Sequence, residues 1–285
     1  MNPALAGFSQ QTEIKATLSQ QWIGIPDAPA TQTISAHSYA GKGIGIGGYF
    51  YNDKNGLNKE TGFNLTGAYH INLGEEQELL KIRKLSFGIG ASAFQHTLNL
   101  AAFTDHDYDP AVDGAEKSAF AIDFNAGAYF RYDGLSAGIS AAGLGFKKLS
   151  IYNDATEPVF PANFYINVGY LFQTSDYIML EPSVVYKFTN NQQSQLDANL
   201  KAIFYQSNDQ QYWLSMSVRK TLDTGNAQFL DLVGLAGVNY KGFMFAYAYD
   251  FGMSELNSSH SGSHQLMLGT LIKKAETHRI SCPVY

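Results

Sequence analysis

The sequence predicts an all-β protein: one transmembrane, antiparallel, up-and-down β-barrel of about 14 strands filling residues 1–285. Three observations carry this reading. The chain is poor in charge and rich in aromatics, its apolar residues alternate with period two, and its connections alternate between long and short.

Composition sets the frame. Charged residues make up 15% of the chain, against about 25% in a typical soluble domain. There are 19 Phe, 18 Tyr and 27 Gly. A barrel in lipid needs little surface charge, because much of its exterior faces hydrocarbon. Mean hydropathy is nevertheless slightly negative, which excludes a helical membrane protein. The longest charge-free stretches, such as Gly134 to Phe146, are too short and glycine-rich for a spanning helix, which needs about 20 apolar residues.

Period-two alternation places successive side chains on opposite faces of a strand. In the segment from Phe120 to Tyr132, one face carries Phe120, Ile122, Phe124, Ala126, Ala128, Phe130 and Tyr132. The other carries Ala121, Asp123, Asn125, Gly127, Tyr129 and Arg131. The segments beginning at Phe63 and at Leu196 read the same way. Strands are expected near 11–20, 31–39, 43–52, 61–73, 84–95, 119–132, 134–146, 161–173, 177–189, 195–207, 210–220, 230–240, 242–251 and 263–272. Glu75 to Lys84 reads as a charged connector.

The connections supply an independent test. Long ones at Gln21–Ala30, Asp53–Glu60, His96–Ser118, Lys147–Phe160, Asn190–Ser194, Thr221–Phe229 and Gly252–Gly262 alternate with short ones at Gly41-Lys42, Asp133-Gly134, Thr174–Asp176, Asn208-Asp209 and Lys241. Only Gly74–Arg83 breaks the pattern. Bacterial barrels have short periplasmic turns and longer external loops, so both termini are expected on the periplasmic side of an outer membrane. A sandwich has no reason to sort its loops this way, and a propeller would show a repeat near 40 residues.

Tyr and Phe near strand ends, as in Tyr49, Phe50 and Tyr51 or Tyr247, Tyr249 and Phe251, suit aromatic girdles at the membrane interfaces. High β-propensity alone would also place them there. Gly43, Gly45 and Gly47 share one face of a strand; with no helix following, curvature or a close inner contact explains them better than a nucleotide loop.

Other chemistry is weakly signalled. A net charge of −6 and the absence of basic runs exclude nucleic acid as a partner. The single cysteine, Cys282, excludes a disulfide framework. Met1-Asn2-Pro3-Ala4 lacks the features of a signal peptide, which suggests a trimmed or mature start. No G-x-S-x-G motif occurs and the seven histidines are scattered, so no enzyme is expected. Asp105, Asp107, Asp109, Asp113 and Glu116 match the spacing of calcium-loop ligands, but Pro110 stands where that loop needs glycine. A solvated acidic external loop is the alternative, and calcium is the only cofactor that the sequence raises. Inward-facing Asp123, Arg131, Glu181, Lys187, Lys201 and Arg219 carry both signs, so they either pair across a filled lumen or line a pore.

The ends and first loop resemble the PorP/SprF family of type IX secretion system membrane proteins of Bacteroidetes. The residues that carry the likeness are Asn2-Pro3-Ala4-Leu5-Ala6-Gly7 and Gln21-Trp22-Ile23-Gly24-Ile25-Pro26-Asp27-Ala28-Pro29, followed by Thr31, Ser35 and His37. Asp53 with Gly56, Ser263-His264-Gln265-Leu266 and Cys282-Pro283 add to it. The resemblance implies an outer-membrane barrel of the secretion and gliding machinery. Such barrels help secrete or retain large surface adhesins through the adhesins' C-terminal domains, some with a periplasmic peptidoglycan-binding lipoprotein. Lipid and lipopolysaccharide would surround the wall. Trp22, Ile25, Pro26 and Pro29 in the first external loop suit partner binding, since an aromatic anchor on a proline-restricted backbone loses little entropy on docking. The same loop folded inward would instead brace the barrel. Cys282 and Pro283 belong to a periplasmic tail, 273–285, that either contacts a partner or tucks under the barrel. The rival function is an outer-membrane porin or small-molecule transporter, which requires an open, water-filled lumen.

Overall fold

The computed structural model describes residues 2–74, 79–99, 116–145, 161–207, 209–223, 227–253 and 261–272. After a short 3-10 turn at Pro3–Leu5 come β1 (Thr12–Gln20), β2 (Ala30–Gly41), β3 (Ile44–Asn55), β4 (Asn58–Asn72) and β5 (Arg83–Asn99). A second 3-10 turn, Leu79–Lys81, precedes β5. Next are β6 (Glu116–Tyr132), β7 (Leu135–Ala142), β8 (Asn163–Tyr170), β9 (Phe172–Ser175), β10 (Ile178–Thr189) and β11 (Ser194–Ser207). The chain ends with β12 (Gln210–Thr221), β13 (Phe229–Tyr240), β14 (Phe243–Gly252) and β15 (Ser263–Ile272).

Each strand pairs antiparallel with its chain neighbours, and β1 pairs with β15, so the sheet closes on itself. β8 and β9 are two parts of one stave, both paired with β10 and interrupted at Leu171, which gives a barrel of 14 staves. Closure pairs the long strands on both sides, which a spanning sheet in hydrocarbon requires, while the short β9 pairs with β10 alone.

Alternation sorts the faces as expected. Leu65 and Ile89 are 65% and 72% exposed on the exterior, whereas Asn64 and Ser86 on neighbouring inward positions are 1% and 0% exposed. The exterior of β4 is apolar from Phe63 to Leu73, ten residue steps. At about 3.3 Å per residue and a tilt near 40°, that is a band about 25 Å tall, the height of a barrel's lipid belt. Above it the outward positions turn polar at Gln32, Asn52, Thr61 and Gln95.

The two ends differ. At the turn end lie the N-terminal segment and tight connections such as Lys241-Gly242, whose φ angles of 50° and 89° fit the left-handed turns that match strand twist. Asp133, in another of these turns, bonds Arg83 at 2.8 Å, and that guanidinium holds its carboxyl below the usual range. The longer connections lie at the loop end, except the one between β4 and β5.

Several boundaries differ from expectation. β3 and β4 continue to Asn55 and Asn58 and join through Gly56-Leu57, so the expected loop at Asp53–Glu60 is a tight hairpin. β5 and β6 likewise extend to Asn99 and back to Glu116. Polar alternation in these stretches looks like loop, yet backbone pairing continues above the lipid belt. β7 stops at Ala142 rather than 146: Asp123 accepts bonds from the Gly143 and Gly145 amides at 2.9 and 2.8 Å and diverts the backbone.

Candidate functional site

The N-terminal segment enters the lumen at the turn end. Each residue of its Asn-Pro-Ala-x-Ala-Gly run has a physical task. The Asn2 side chain caps the 3-10 turn, accepting from the Ala4 amide at 3.0 Å, and donates to the carbonyls of Ala128 and Ile139 on β6 and β7. Pro3 presets the first helical φ. The Pro3–Ala4 peptide lies on Gly88 of β5, and Ala4, 0% exposed, packs with Phe8, Ile82 and Tyr129. Ala6 lies on Gly45 of β3, and Asn2 on Gly127 of β6. A Cβ at any of these three glycines would overlap the segment. Gly7 adopts φ 68° against the Ser38 carbonyl, where a side chain has neither the conformation nor the room.

Polar contacts complete the seat. His70 bonds the Ala6 carbonyl at 2.9 Å and Ser86 at 2.7 Å. Lys84 donates to the Phe8 carbonyl at 3.3 Å and lies over the Phe8 ring, while Phe8 packs edge-on against Tyr129. Ala4, Phe8, Ile82 and Tyr129 form a buried cluster with Leu5.

The opposite wall carries a second apolar cluster inside the lumen: Leu171, Ile203, Trp213, Met244, Ala246 and Met267. Leu80 of the β4–β5 connection packs against it from across the barrel. These inward side chains are 2–7% exposed, and so is Glu181; Arg131 is 2% exposed. Residues lining a water-filled pore would be accessible. At this level the described inward side chains are packed against one another.

The six expected luminal charges all face inward but do not form one site. Asp123 holds the end of β7, as described above. Arg131 stands directly across from Lys84 in the β5–β6 register, and its Nε and Nη2 make no hydrogen bond among the described residues. Glu181 is buried across from Lys201, whose ammonium lies over the Trp213 ring at 5.1 Å. Lys187 lies over Tyr165 at 5.9 Å. Arg219 sits among Asp197, Asp231 and Asp250 at 3.4, 3.1 and 3.8 Å. Of the six, Arg219 has ion pairs among the described residues, and its partners are carboxylates along the same wall.

The first long loop stays at the rim. Trp22 and Ile23 are 39% and 37% exposed, Pro26 is exposed, Ile25 half-buried and Pro29 buried. Its backbone is well tied: the Ile23 amide donates to Gly262, Ser261 donates back to Ile23, and Gly56 donates to Asp27. Asp27 also pairs with Lys54 at 2.7 Å. Trp22 and Asp27 adopt φ of 46° and 54°, rare for such residues and sustained by these turns.

Tyr49 and Tyr51 correct an expectation. They face the lumen, Tyr51 bonding Glu60 at 2.6 Å, so they belong to no girdle. Tyr247, Tyr249 and Phe251 do face outward. Asp105, Asp107, Asp109 and Asp113 lie outside the described residues, as do Cys282 and Pro283; of Glu116 only the backbone, at the start of β6, is described. Among the described residues, no group of three His, Cys, Asp or Glu is placed to hold a metal ion. Sequence reasoning missed the N-terminal seat. Its available signals were the small residues of the Asn-Pro-Ala run and glycines at inward positions of three strands, β3, β5 and β6.

A closed 14-stave wall, an apolar belt and a packed turn end define a membrane β-barrel of the outer-membrane type. Among solved structures, the chain resembles a Pseudomonas aeruginosa FadL homologue, with a TM-score of 0.55, 10% identity, and 95% of this chain and 91% of that one covered. It also resembles the deltaS2 mutant of TodX, a monoaromatic hydrocarbon channel, with a TM-score of 0.50, 11% identity and the same coverages of 95% and 91%. Those likenesses concern the fold. No curated protein matches the chain in sequence. The model of the type IX secretion system membrane protein PorP/SprF matches residues 1–270, and the chain belongs to that family.

Proposed function

We propose that this barrel sits in the outer membrane and anchors, or helps secrete, a large surface protein by binding its C-terminal domain at the loop end. The turn end then faces the periplasm, where a peptidoglycan-binding lipoprotein is the expected partner. The observation that carries this reading is the packed lumen. A barrel filled with Phe8, Trp213, Met244 and Met267 at one end is built to hold something rather than to pass solutes. Family membership supplies the secretion system, and the braced rim with Trp22 and Ile23 exposed supplies a rigid face for docking.

The test is recovery of partners. The native protein, purified from its own outer membrane in mild detergent, is expected to bring down a large secreted surface protein in stoichiometric amount. Trp22→Ala is expected to lower that recovery while leaving the barrel folded. Recovery of the barrel alone, under conditions that keep other outer-membrane complexes intact, would contradict the anchor reading.

A further inference from the structure

The outer wall carries a cavity, lined mostly by polar and charged residues, that the anchor function does not use. Its volume is about 450 Å³, and it lies on the outward face of β3, β4 and β5 near the loop end. Lys54, Lys59, Thr61, Gln95 and Thr97 line it, with Asp27 of the first loop at its margin. Along the same strands, two to six residues lower, the wall is apolar: Phe50, Phe63 and Leu65 are about half exposed or more, and Ile89 is 72% exposed. An occupant that satisfies both surfaces has a polar head and hydrocarbon chains.

The cavity also has the chemistry of a particular head. Lys54 and Lys59 stand directly opposite each other in the β3–β4 register, two like charges that repel when nothing lies between them. Lys54 is held by Asp27, while Lys59 has no ion pair among the described residues. Thr61, Gln95 and Thr97 add neutral donors and acceptors suited to sugar hydroxyls. The frame is stiff as well, because Asn99 donates to the Leu57 carbonyl at 2.9 Å and Gly56 donates to Asp27 at 3.1 Å. We propose that this cavity binds the phosphorylated sugar headgroup of an outer-leaflet glycolipid, with the lysines on phosphate and the acyl chains lying on Phe63, Leu65 and Ile89.

The proposal rests on the loop end facing outward. Binding in detergent does not depend on that orientation, so the two are separable. Purified full-length protein would be mixed with bisphosphorylated lipid A, or with the same glycolipid stripped of phosphate, and the bound lipid counted by native mass spectrometry. The expected result is preferential retention of the phosphorylated form. Lys54→Glu with Lys59→Glu is expected to weaken it about tenfold or more, the scale of losing a charge-assisted hydrogen bond. Lys220→Glu, an outward lysine on β12 away from the cavity, is expected to leave binding unchanged. Thr61→Leu keeps both charges but fills the cavity floor, and is also expected to reduce retention. Equal retention by wild type and the double-lysine and Thr61 variants, or no preference for phosphate, overturns the proposal. Orientation is read separately, by labelling Asn55→Cys in a Cys282→Ser background on whole cells; failure to label from outside concerns the orientation and not the cavity.

Discussion

Gly45, Gly88 and Gly127 stand on three different strands, yet all three exist to admit the same nine-residue segment, residues 2–10. Replacing Gly45 with Leu would drive a side chain into the Ala6 carbonyl and the His70 ring. The expected outcome is expulsion of the N-terminal segment from a barrel that still forms, seen as new protease sensitivity of residues 2–10. Gly67 on β4 has open space around it, and Gly67→Ala is expected to change nothing in the same assay. Arg131 makes the opposite kind of prediction. It is buried across from Lys84, and two of its nitrogens make no hydrogen bond among the described residues, a costly state for a charge. An apolar residue of similar length removes that cost, typically about 1–4 kcal/mol. Arg131→Met is therefore expected to raise the temperature at which the folded barrel converts to the unfolded band on a gel; a lowered temperature would show that the guanidinium has an essential counter-charge.

At the scale of elements, the strands differ in how legible they were. The alternation in 120–132 is local, so β6 and most of its neighbours were readable within a few residues. The β3–β4 hairpin was not, because Asn52, Asp53, Lys54 and Asn55 look like loop when only composition is weighed. Their backbone pairing depends on β4 opposite, which a strand-by-strand reading does not include. The seat of the N-terminal segment was hidden for the same reason, since the Ala6–His70 bond joins residues 64 apart. The first loop was visible as a motif, but its bracing by Gly262 and Gly56 was not. Hydrogen exchange checks that bracing: the amides of Ile23, Gly56 and Ser261 are expected to exchange slowly, like strand amides and unlike free loop tips. Fast exchange at all three would mean that the rim is not a rigid docking face. Asp27→Ala alone is expected to cost under about 1 kcal/mol, as for an exposed ion pair, and to leave that protection largely in place.

At the scale of the whole molecule, one end of the barrel is packed and the other carries a braced rim. Among the described residues the lumen holds three apolar clusters: one seated by the N-terminal segment, one met by Leu80, and one of Phe94, Ala119 and Ala121 with Tyr51 and Leu98 nearer the loop end. The first two account for why luminal residues as different as Tyr129, Arg131, Trp213 and Met267 are all 7% exposed or less. A barrel of this strand number would otherwise enclose water. The most direct measurement is the conductance of the purified full-length protein in a planar lipid bilayer. A lumen packed at its turn end predicts insertion without discrete ohmic current steps, whereas stable steps from the intact chain would show a continuous aqueous path and contradict the account.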